Sequence, residues 1–132
     1  MTFARTRFAV DGQAQCSQCL RWLSVGFYQK HPGMAIGIGS VCKNCARDVQ
    51  RRSYVKRIER LNQIKMSRGC YDCGFDEFPE ALEFDHQPGA GKLFDIGQGK
   101  RRTWALIETE IAKCDVVCAN CHRRRTTLRA RK

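Results

Sequence analysis

Two short stretches decide the fold predicted for this chain: Leu82-Glu83-Phe84-Asp85-His86-Gln87-Pro88 and Cys118-Ala119-Asn120-Cys121-His122. The first alternates apolar and polar residues as a half-buried strand does, and it ends with an acid and a histidine side by side. The second has a histidine directly after a Cys-x-x-Cys pair, where we expect the first turn of a helix. A carboxylate and two imidazoles, one of them free to act as a base, are the minimum set for metal-assisted hydrolysis.

Eight of the nine cysteines form four Cys-x-x-Cys pairs. In chain order these pairs are Cys16/Cys19, Cys42/Cys45, Cys70/Cys73 and Cys118/Cys121. In a reducing compartment, paired thiols at this spacing bind zinc rather than form disulfides. We therefore predict two structural zinc sites, one from the first two pairs and one from the last two. The ninth, Cys114, is predicted to be a buried structural thiol.

The opening residues and the hydropathy both favour the cytoplasm. Arg5 and Arg7 interrupt the short apolar start, so the pattern of a secretory signal is missing. No apolar run approaches the length that crosses a membrane, so no membrane partner is expected.

The net charge of +11 is spread unevenly. Residues 43–68 carry nine Lys or Arg against two acids, and residues 122–132 carry six against none. Residues 69–99 reverse the balance, with seven acids and one Lys. A basic chain with an acidic segment is typical of a protein that binds a polyanion and also holds a cation. DNA is the expected partner.

The expected architecture is a small α+β protein stapled by zinc. Residues 1–50 would form a treble-clef or ribbon-like zinc module, with an edge strand at 8–10, a strand from Leu20 to Tyr28 and a return strand over 36–41. Residues 43–68 lack Pro and Gly and predict one helix that ends at Gly69. An apolar stripe that includes Val49, Val55, Ile58, Leu61 and Ile64 would pack in the core, and Arg51, Arg52 and Lys56 would face DNA phosphates.

Residues 69–132 are predicted to form the second module. Strand 82–86 would turn at Pro88 and return over 93–96, and Thr103 would cap a helix over 104–113. A helix following Cys118 would complete the module. The second zinc site would then clamp the hairpin to this last helix and bring His122 towards Asp85.

Cys70-x-x-Cys73, Phe84-Asp85-His86 and Val117-Cys118-Ala119-Asn120-Cys121-His122 together resemble an HNH endonuclease of the zinc-bound, phage-type branch. The resemblance covers about residues 68 to 128, roughly half the chain. It implies a ββα-metal site, in which a two-stranded hairpin and a helix hold one divalent cation that cuts DNA. It also implies that the cytoplasm is that of a bacterium or of a phage-infected host. In the family, an Asn usually lies a few residues before the second Cys pair, whereas the nearest Asn here is Asn120, inside that pair.

By this resemblance, His86 is the general base that deprotonates the attacking water. Asp85 and His122 would hold the catalytic cation, and magnesium or manganese suits them because one carboxylate and one imidazole leave most positions for water and phosphate oxygens. Asn120 could orient His86 or its strand. Arg123 or Arg124 could clamp the adjacent phosphate.

Two functional classes remain open at this point. The first is a metal-dependent DNA endonuclease, and the second is a non-catalytic zinc-finger protein that binds DNA or RNA. Asp85, His86 and His122 favour the enzyme, because a pure binder has no need of all three. A redox protein is disfavoured, since the Cys-x-x-Cys pairs lack a thioredoxin-like βαβ context.

Overall fold

Six short strands and three α-helices make up the described part of the chain, residues 11–99 and 101–132 of the computed structural model. The strands form three separate two-stranded antiparallel sheets over those residues. The predicted α+β class is therefore confirmed. The edge strand expected at 8–10 lies outside the described residues. The chain divides into two compact units, Met1–Ser53 and Tyr54–Lys132.

Residues 11–53 of the first unit form two hairpins. Strand β1 (Gln13–Gln15) pairs with β2 (Trp22–Ser24), and β3 (Tyr28–Lys30) pairs with β4 (Ile38–Cys42). The single strand predicted from Leu20 to Tyr28 is wrong, because Val25–Phe27 forms a 3₁₀ turn that divides it. The return strand exists but begins at Ile38, since residues 34–37 are used in a turn that Gly37 completes at φ +69°.

The described residues of the first unit, 11–53, have a small core. Five of them are buried in it, two of these being cysteines: Ala14, Cys16, Tyr28, Ile38 and Cys42. The Tyr28 hydroxyl donates a hydrogen bond of 2.6 Å to the Ala14 carbonyl and so ties β3 to β1. A core of this size stabilises a fold weakly, and domains of this kind depend on a metal or a disulfide.

Helix α1 runs from Lys43 to Arg68, as the sequence predicts. Gly69 ends it in the left-handed region at φ +64°, with its N–H bonded to the Lys65 carbonyl. The predicted apolar stripe is buried only in the second half of the helix, where Leu61 joins a core cluster. Val49 and Val55 are exposed, so their assignment to the core is wrong.

In the second unit, β5 (Leu82–His86) pairs antiparallel with β6 (Cys114–Cys118), with Asp85 opposite Asp115 and His86 opposite Cys114. The return strand predicted at 93–96 is wrong. Leu93 is 71% exposed, and a 3₁₀ turn over Ile96–Gln98 follows it. The partner of β5 instead comes from almost thirty residues further along the chain.

Two helices complete the second unit: α2 (Trp104–Ile111) and α3 (Ala119–Ala130). The predicted cap of α2 is confirmed, since the Thr103 hydroxyl accepts from the Leu106 N–H at 3.4 Å. One core cluster contains Ile107 and Ile111 of α2, and a second contains Leu82, Val116 and Val117 of the hairpin. Phe84 packs against both clusters and joins the helices to the sheet.

Candidate functional site

Four thiols of the first unit converge on one point. Cys16 and Cys19 lie in a tight turn after β1, Cys42 ends β4, and Cys45 lies in the first turn of α1. Their sulfur atoms all lie within 4.8 Å of one another. Burial raises the pKa of the Cys16 thiol, but N–H bonds to its sulfur from Cys19 (3.5 Å) and Cys42 (3.3 Å) help lower the pKa to about 6.

The second unit repeats this arrangement. Cys70 and Cys73 lie in a turn, Cys118 ends β6, and Cys121 lies in the first turn of α3, again with all sulfurs within 4.8 Å. The Cys118 sulfur also caps α3 by accepting from the Cys121 N–H at 3.5 Å. Burial raises the pKa of Cys70, but backbone N–H bonds, chiefly from Cys118 and Cys73, lower it to about 6.

The geometry and chemistry of both groups fit a structural metal ion such as zinc. Zinc–sulfur bonds of about 2.3 Å in a tetrahedron put sulfur atoms roughly 3.8 Å apart, and the Cys73 and Cys118 sulfurs are 3.8 Å apart. All nine cysteines are free thiols. Four thiolates leave no open position for a substrate, so these groups can serve as structural sites.

Asp85 lies on the face of β5 that meets α3, and it is 3% exposed. Arg129 clasps both of its carboxylate oxygens at 2.8 Å, and Arg125 donates a third bond at 2.9 Å. Burial would raise the pKa of Asp85, but these bonds outweigh it and hold the pKa below its ordinary value. The carboxylate is therefore ionised and neutralised from the helix side.

The structure brings His122 to Asp85, as expected. In the first turn of α3, His122 has its Nε2 atom 3.5 Å from Asp85 Oδ1. Its other ring nitrogen, Nδ1, contacts the Glu83 carboxylate two residues earlier on the same face of β5. One imidazole thus lies between two carboxylates, which can orient its ring.

Arg125 connects this pair to the turn that carries Cys70 and Cys73. Its guanidinium bonds Asp72, between Cys70 and Cys73, through two nitrogens at 2.6 and 2.8 Å. The same side chain bonds Asp85 and Asp115, which face each other across the hairpin. The hydrogen bond with Asp72 raises the pKa of Arg125 further, so it remains charged. Arg125 thereby relieves the repulsion between two opposed carboxylates.

His86 does not join Asp85 and His122. The ladder between β5 and β6 continues through His86, so its side chain emerges on the opposite face from Asp85. Its Nε2 atom is 2.8 Å from Oε1 of Glu110, a fully buried residue of α2. His86 is thus held on the side of the hairpin that α2 covers.

Three other predicted residues lie on the surface. Asn120 is exposed in the first turn of α3, and no contact joins it to His86, so its predicted orienting role lacks support in the described structure. Arg123 and Arg124 are exposed on the same helix and free to meet a phosphate.

The predicted basic face of α1 is retained in part. Arg51, Arg52 and Lys56 are all exposed, as phosphate binding requires. Two other arginines of α1 make contacts within the second unit instead. Arg57 donates to the carbonyls of residues 99 and 102, and Arg60 lies 4.0 Å over the ring of Trp104.

Sequence reasoning missed the residues that surround the predicted pair. Arg125 and Arg129 follow His122 at three and seven residues, a spacing that places all three on one helix face. Glu83 precedes Asp85 by two residues, which places both on one strand face. Those two periodicities could have found them. No such local signal points to Glu110.

Asp85 and His122 are the two residues predicted to hold a catalytic cation, and they supply two donor atoms. Over the described residues, the two four-cysteine groups are the only compact sets of three or more metal-binding side chains. A carboxylate oxygen and an imidazole nitrogen suit a divalent cation that keeps most of its water. The cation would share Asp85 with Arg129, or Arg129 would release one oxygen.

Comparison with protein-family models, with curated proteins and with solved structures finds no match for this chain. Over the described residues, no helix is both long and apolar enough to cross a membrane.

Proposed function

We propose that this chain is a metal-dependent DNA endonuclease of the HNH type, which hydrolyses phosphodiester bonds. The observation that carries the proposal is the 3.5 Å approach of His122 to Asp85 between a hairpin and a helix that share one four-cysteine group. We further propose that each four-cysteine group binds one structural zinc ion. The first would belong to a treble-clef or ribbon-like module, and the second to a ββα-metal module.

A comparison of the two units supports a role for the second beyond zinc binding. In both, a Cys pair ends a strand and opens a helix, at Cys42 and at Cys118. Counting from these cysteines, the first unit has Ala46, Val49 and Ser53 where the second has His122, Arg125 and Arg129. The four-cysteine arrangement of the first unit is thus formed without these charged groups, and their presence in the second unit supports a further role there.

A divalent cation bound by Asp85 and His122 would stabilise the negative charge that develops on the phosphate and on the leaving 3′ oxygen. His86 would take the proton of the attacking water as its oxygen bonds to phosphorus and the bond to the 3′ oxygen breaks. Because Asp85 and His86 emerge on opposite faces, the phosphate must lie at the edge or the end of β5 to reach both.

DNA would be held through its phosphates. Arg51, Arg52 and Lys56 form an exposed basic row on α1, and Arg123 and Arg124 are exposed beside His122. Arginine suits this role because its planar fork binds two phosphate oxygens at once. The contacts would recognise the backbone and not the bases.

The second candidate is a zinc-finger protein that binds nucleic acid without cutting it. The observation that favours it is that the predicted catalytic side chains are already paired with other residues of the chain. Asp85 is engaged by two arginines, and His86 is hydrogen-bonded to Glu110 on the other face of the sheet. A binder would retain the basic surfaces and would use these contacts for stability alone.

One cleavage experiment separates the two candidates. Purified, zinc-loaded protein is incubated with supercoiled plasmid in magnesium or manganese, and nicked and linear products are measured over time. His86→Ala is compared with His31→Ala, which removes an exposed histidine of the first unit. Zinc content and DNA affinity are measured for each variant.

We expect the wild type and His31→Ala to cut at the same rate. His86→Ala should be slower by about 10²–10⁴-fold, the usual contribution of a positioned base, with zinc content and DNA affinity unchanged. Cutting by His86→Ala at the wild-type rate would remove the base assignment. DNA binding without cutting by the wild type, in either cation, would establish the non-catalytic alternative.

A further inference from the structure

Glu110 is a buried carboxylate that the proposed reaction does not yet use. It lies on the inner face of α2 and is 0% exposed, and Asp85 is the other buried acid of the described residues. Burying a carboxylate is costly unless its oxygens are well bonded. Glu110 meets this requirement with bonds from three different segments of the second unit.

Its two oxygens have distinct partners. Oε1 accepts from the Leu93 N–H at 2.9 Å and lies 2.8 Å from His86 Nε2. Oε2 accepts from Lys113 at 2.9 Å, and Lys113 also bonds the Gly91 carbonyl at 3.0 Å. Glu110 therefore holds the segment after β5 and the histidine at the end of β5 in one network.

The network determines which nitrogen of His86 carries a proton. Chiefly through Lys113, against the effect of burial, the pKa of Glu110 is lowered to about 2. The carboxylate is therefore ionised at neutral pH and can only accept hydrogen bonds. His86 must then donate from Nε2, and in the neutral ring the lone pair lies on Nδ1.

We propose that Glu110 is a positioning residue that fixes the tautomer and the ring orientation of His86, so that Nδ1 is the atom that accepts the proton of the attacking water. The inference rests on the proposed nuclease function. In the reaction, Nδ1 gains the water proton and the ring becomes positively charged, while the Glu110 carboxylate faces that charge from Nε2. Glu110 thus performs the orienting role for which the sequence indicated Asn120.

The alternative is that Glu110 only stabilises the fold through Leu93 and Lys113. Glu110→Gln distinguishes the two roles. Glutamine has the same shape, but its amide can accept from Nε2–H or donate to an unprotonated Nε2, so it no longer selects one tautomer. The matched control is Glu108→Gln on the same helix, where an exposed carboxylate pairs with Arg60.

The first measurement is the tautomer of His86 by nitrogen NMR of full-length, zinc-loaded protein labelled at its three histidines, with His86→Ala to assign the signal. We expect the neutral wild-type ring to carry its proton on Nε2, and Glu110→Gln to show a mixture of both tautomers. A wild-type ring protonated on Nδ1 would overturn the inference, whether or not the variant folds.

The second measurement is the rate of plasmid cleavage. We expect kcat to fall by about 10–100-fold in Glu110→Gln, part of the contribution of a positioned base, with KM for DNA and zinc content unchanged. Glu108→Gln should match the wild type in all respects.

The outcomes separate the inference from the function on which it rests. A wild type that never cuts DNA refutes the nuclease proposal itself. An active wild type and an equally active Glu110→Gln refute the positioning role alone. A slower Glu110→Gln with an unchanged tautomer would assign Glu110 to stability and also refute it.

Discussion

The exposed thiol of Cys73 should contribute more to stability than the buried thiol of Cys114. Packing alone predicts the reverse order, since Cys114 is 5% exposed and donates to the Glu110 carbonyl at 3.4 Å, whereas Cys73 lies at the surface. A zinc ion held by four thiolates inverts the order. The comparison of Cys73→Ser with Cys114→Ser therefore tests the zinc clamp of the second unit.

The expected magnitudes follow from the two environments. Structural zinc contributes about 10–16 kcal/mol to the folding free energy of small zinc-binding domains. If the four ligands share this equally, the loss of one costs about 2.5–4 kcal/mol. Replacing an exposed side chain with no metal role changes stability by at most about 0.5 kcal/mol. Serine at position 114 can keep the bond to Glu110, so that change should cost about 1 kcal/mol.

The assay is urea unfolding of reduced, zinc-loaded protein, followed by tryptophan fluorescence. Trp22 and Trp104 are the two tryptophans, and Trp22 belongs to the first unit. A Trp22→Phe background therefore leaves Trp104 as the reporter of the second unit. Excess chelator should abolish the difference between wild type and Cys73→Ser. The zinc clamp is refuted by a cost of Cys73→Ser below about 0.5 kcal/mol, or below that of Cys114→Ser.

Three further predictions concern the metal, the DNA and the ion-pair network. Elemental analysis of reduced protein should find two zinc ions per chain, and one zinc or none would exclude two sites. Zinc uptake should also release protons, because bonding with Cys118 raises the pKa of the free Cys121 thiol to about 12. Replacing Arg51, Arg52 and Lys56 by Ala should weaken binding to all DNA sequences. The slope of the logarithm of the binding constant against the logarithm of the salt concentration should fall by about one unit per lost contact. An unchanged slope would show that these side chains face solvent and not DNA. The charge-matched control removes three exposed cations elsewhere: Arg21, Lys30 and Arg101. Arg125→Met should destabilise the second unit by about 3 kcal/mol, because Asp85 and Asp115 would then face each other with one fewer cation. A urea unfolding midpoint equal to that of the wild type would contradict this prediction.

Features that depend only on residues close together in the chain could be predicted from the sequence. Within each Cys-x-x-Cys pair, the turn delivers two thiols to one point whatever surrounds it. Helix α1 has the predicted bounds because residues 43–68 contain no breaker and Gly69 can adopt a left-handed conformation. Strand β5 and the cap at Thr103 also depend on adjacent residues only.

Features that depend on distant partners were decided by the tertiary structure. Residues 93–96 are predicted to return along β5, but residues 114–118 pair with it instead. Cys118, at the end of that strand, also belongs to the second four-cysteine group. Arg125 and not Arg123 meets Asp85, because the helix face that packs on the sheet sets which arginine points inward.

In the candidate site, too, some features follow from adjacent residues and others depend on distant partners. The alternation of β5 already requires Asp85 and His86 to emerge on opposite faces, and the sequence identifies both as reactive groups. What each meets depends on the helix that covers its face: α3 brings His122 to Asp85, and α2 brings Glu110 to His86. Residues 86 and 110 are separated by 24 positions, so no local periodicity relates them, and only the packing of α2 makes them neighbours.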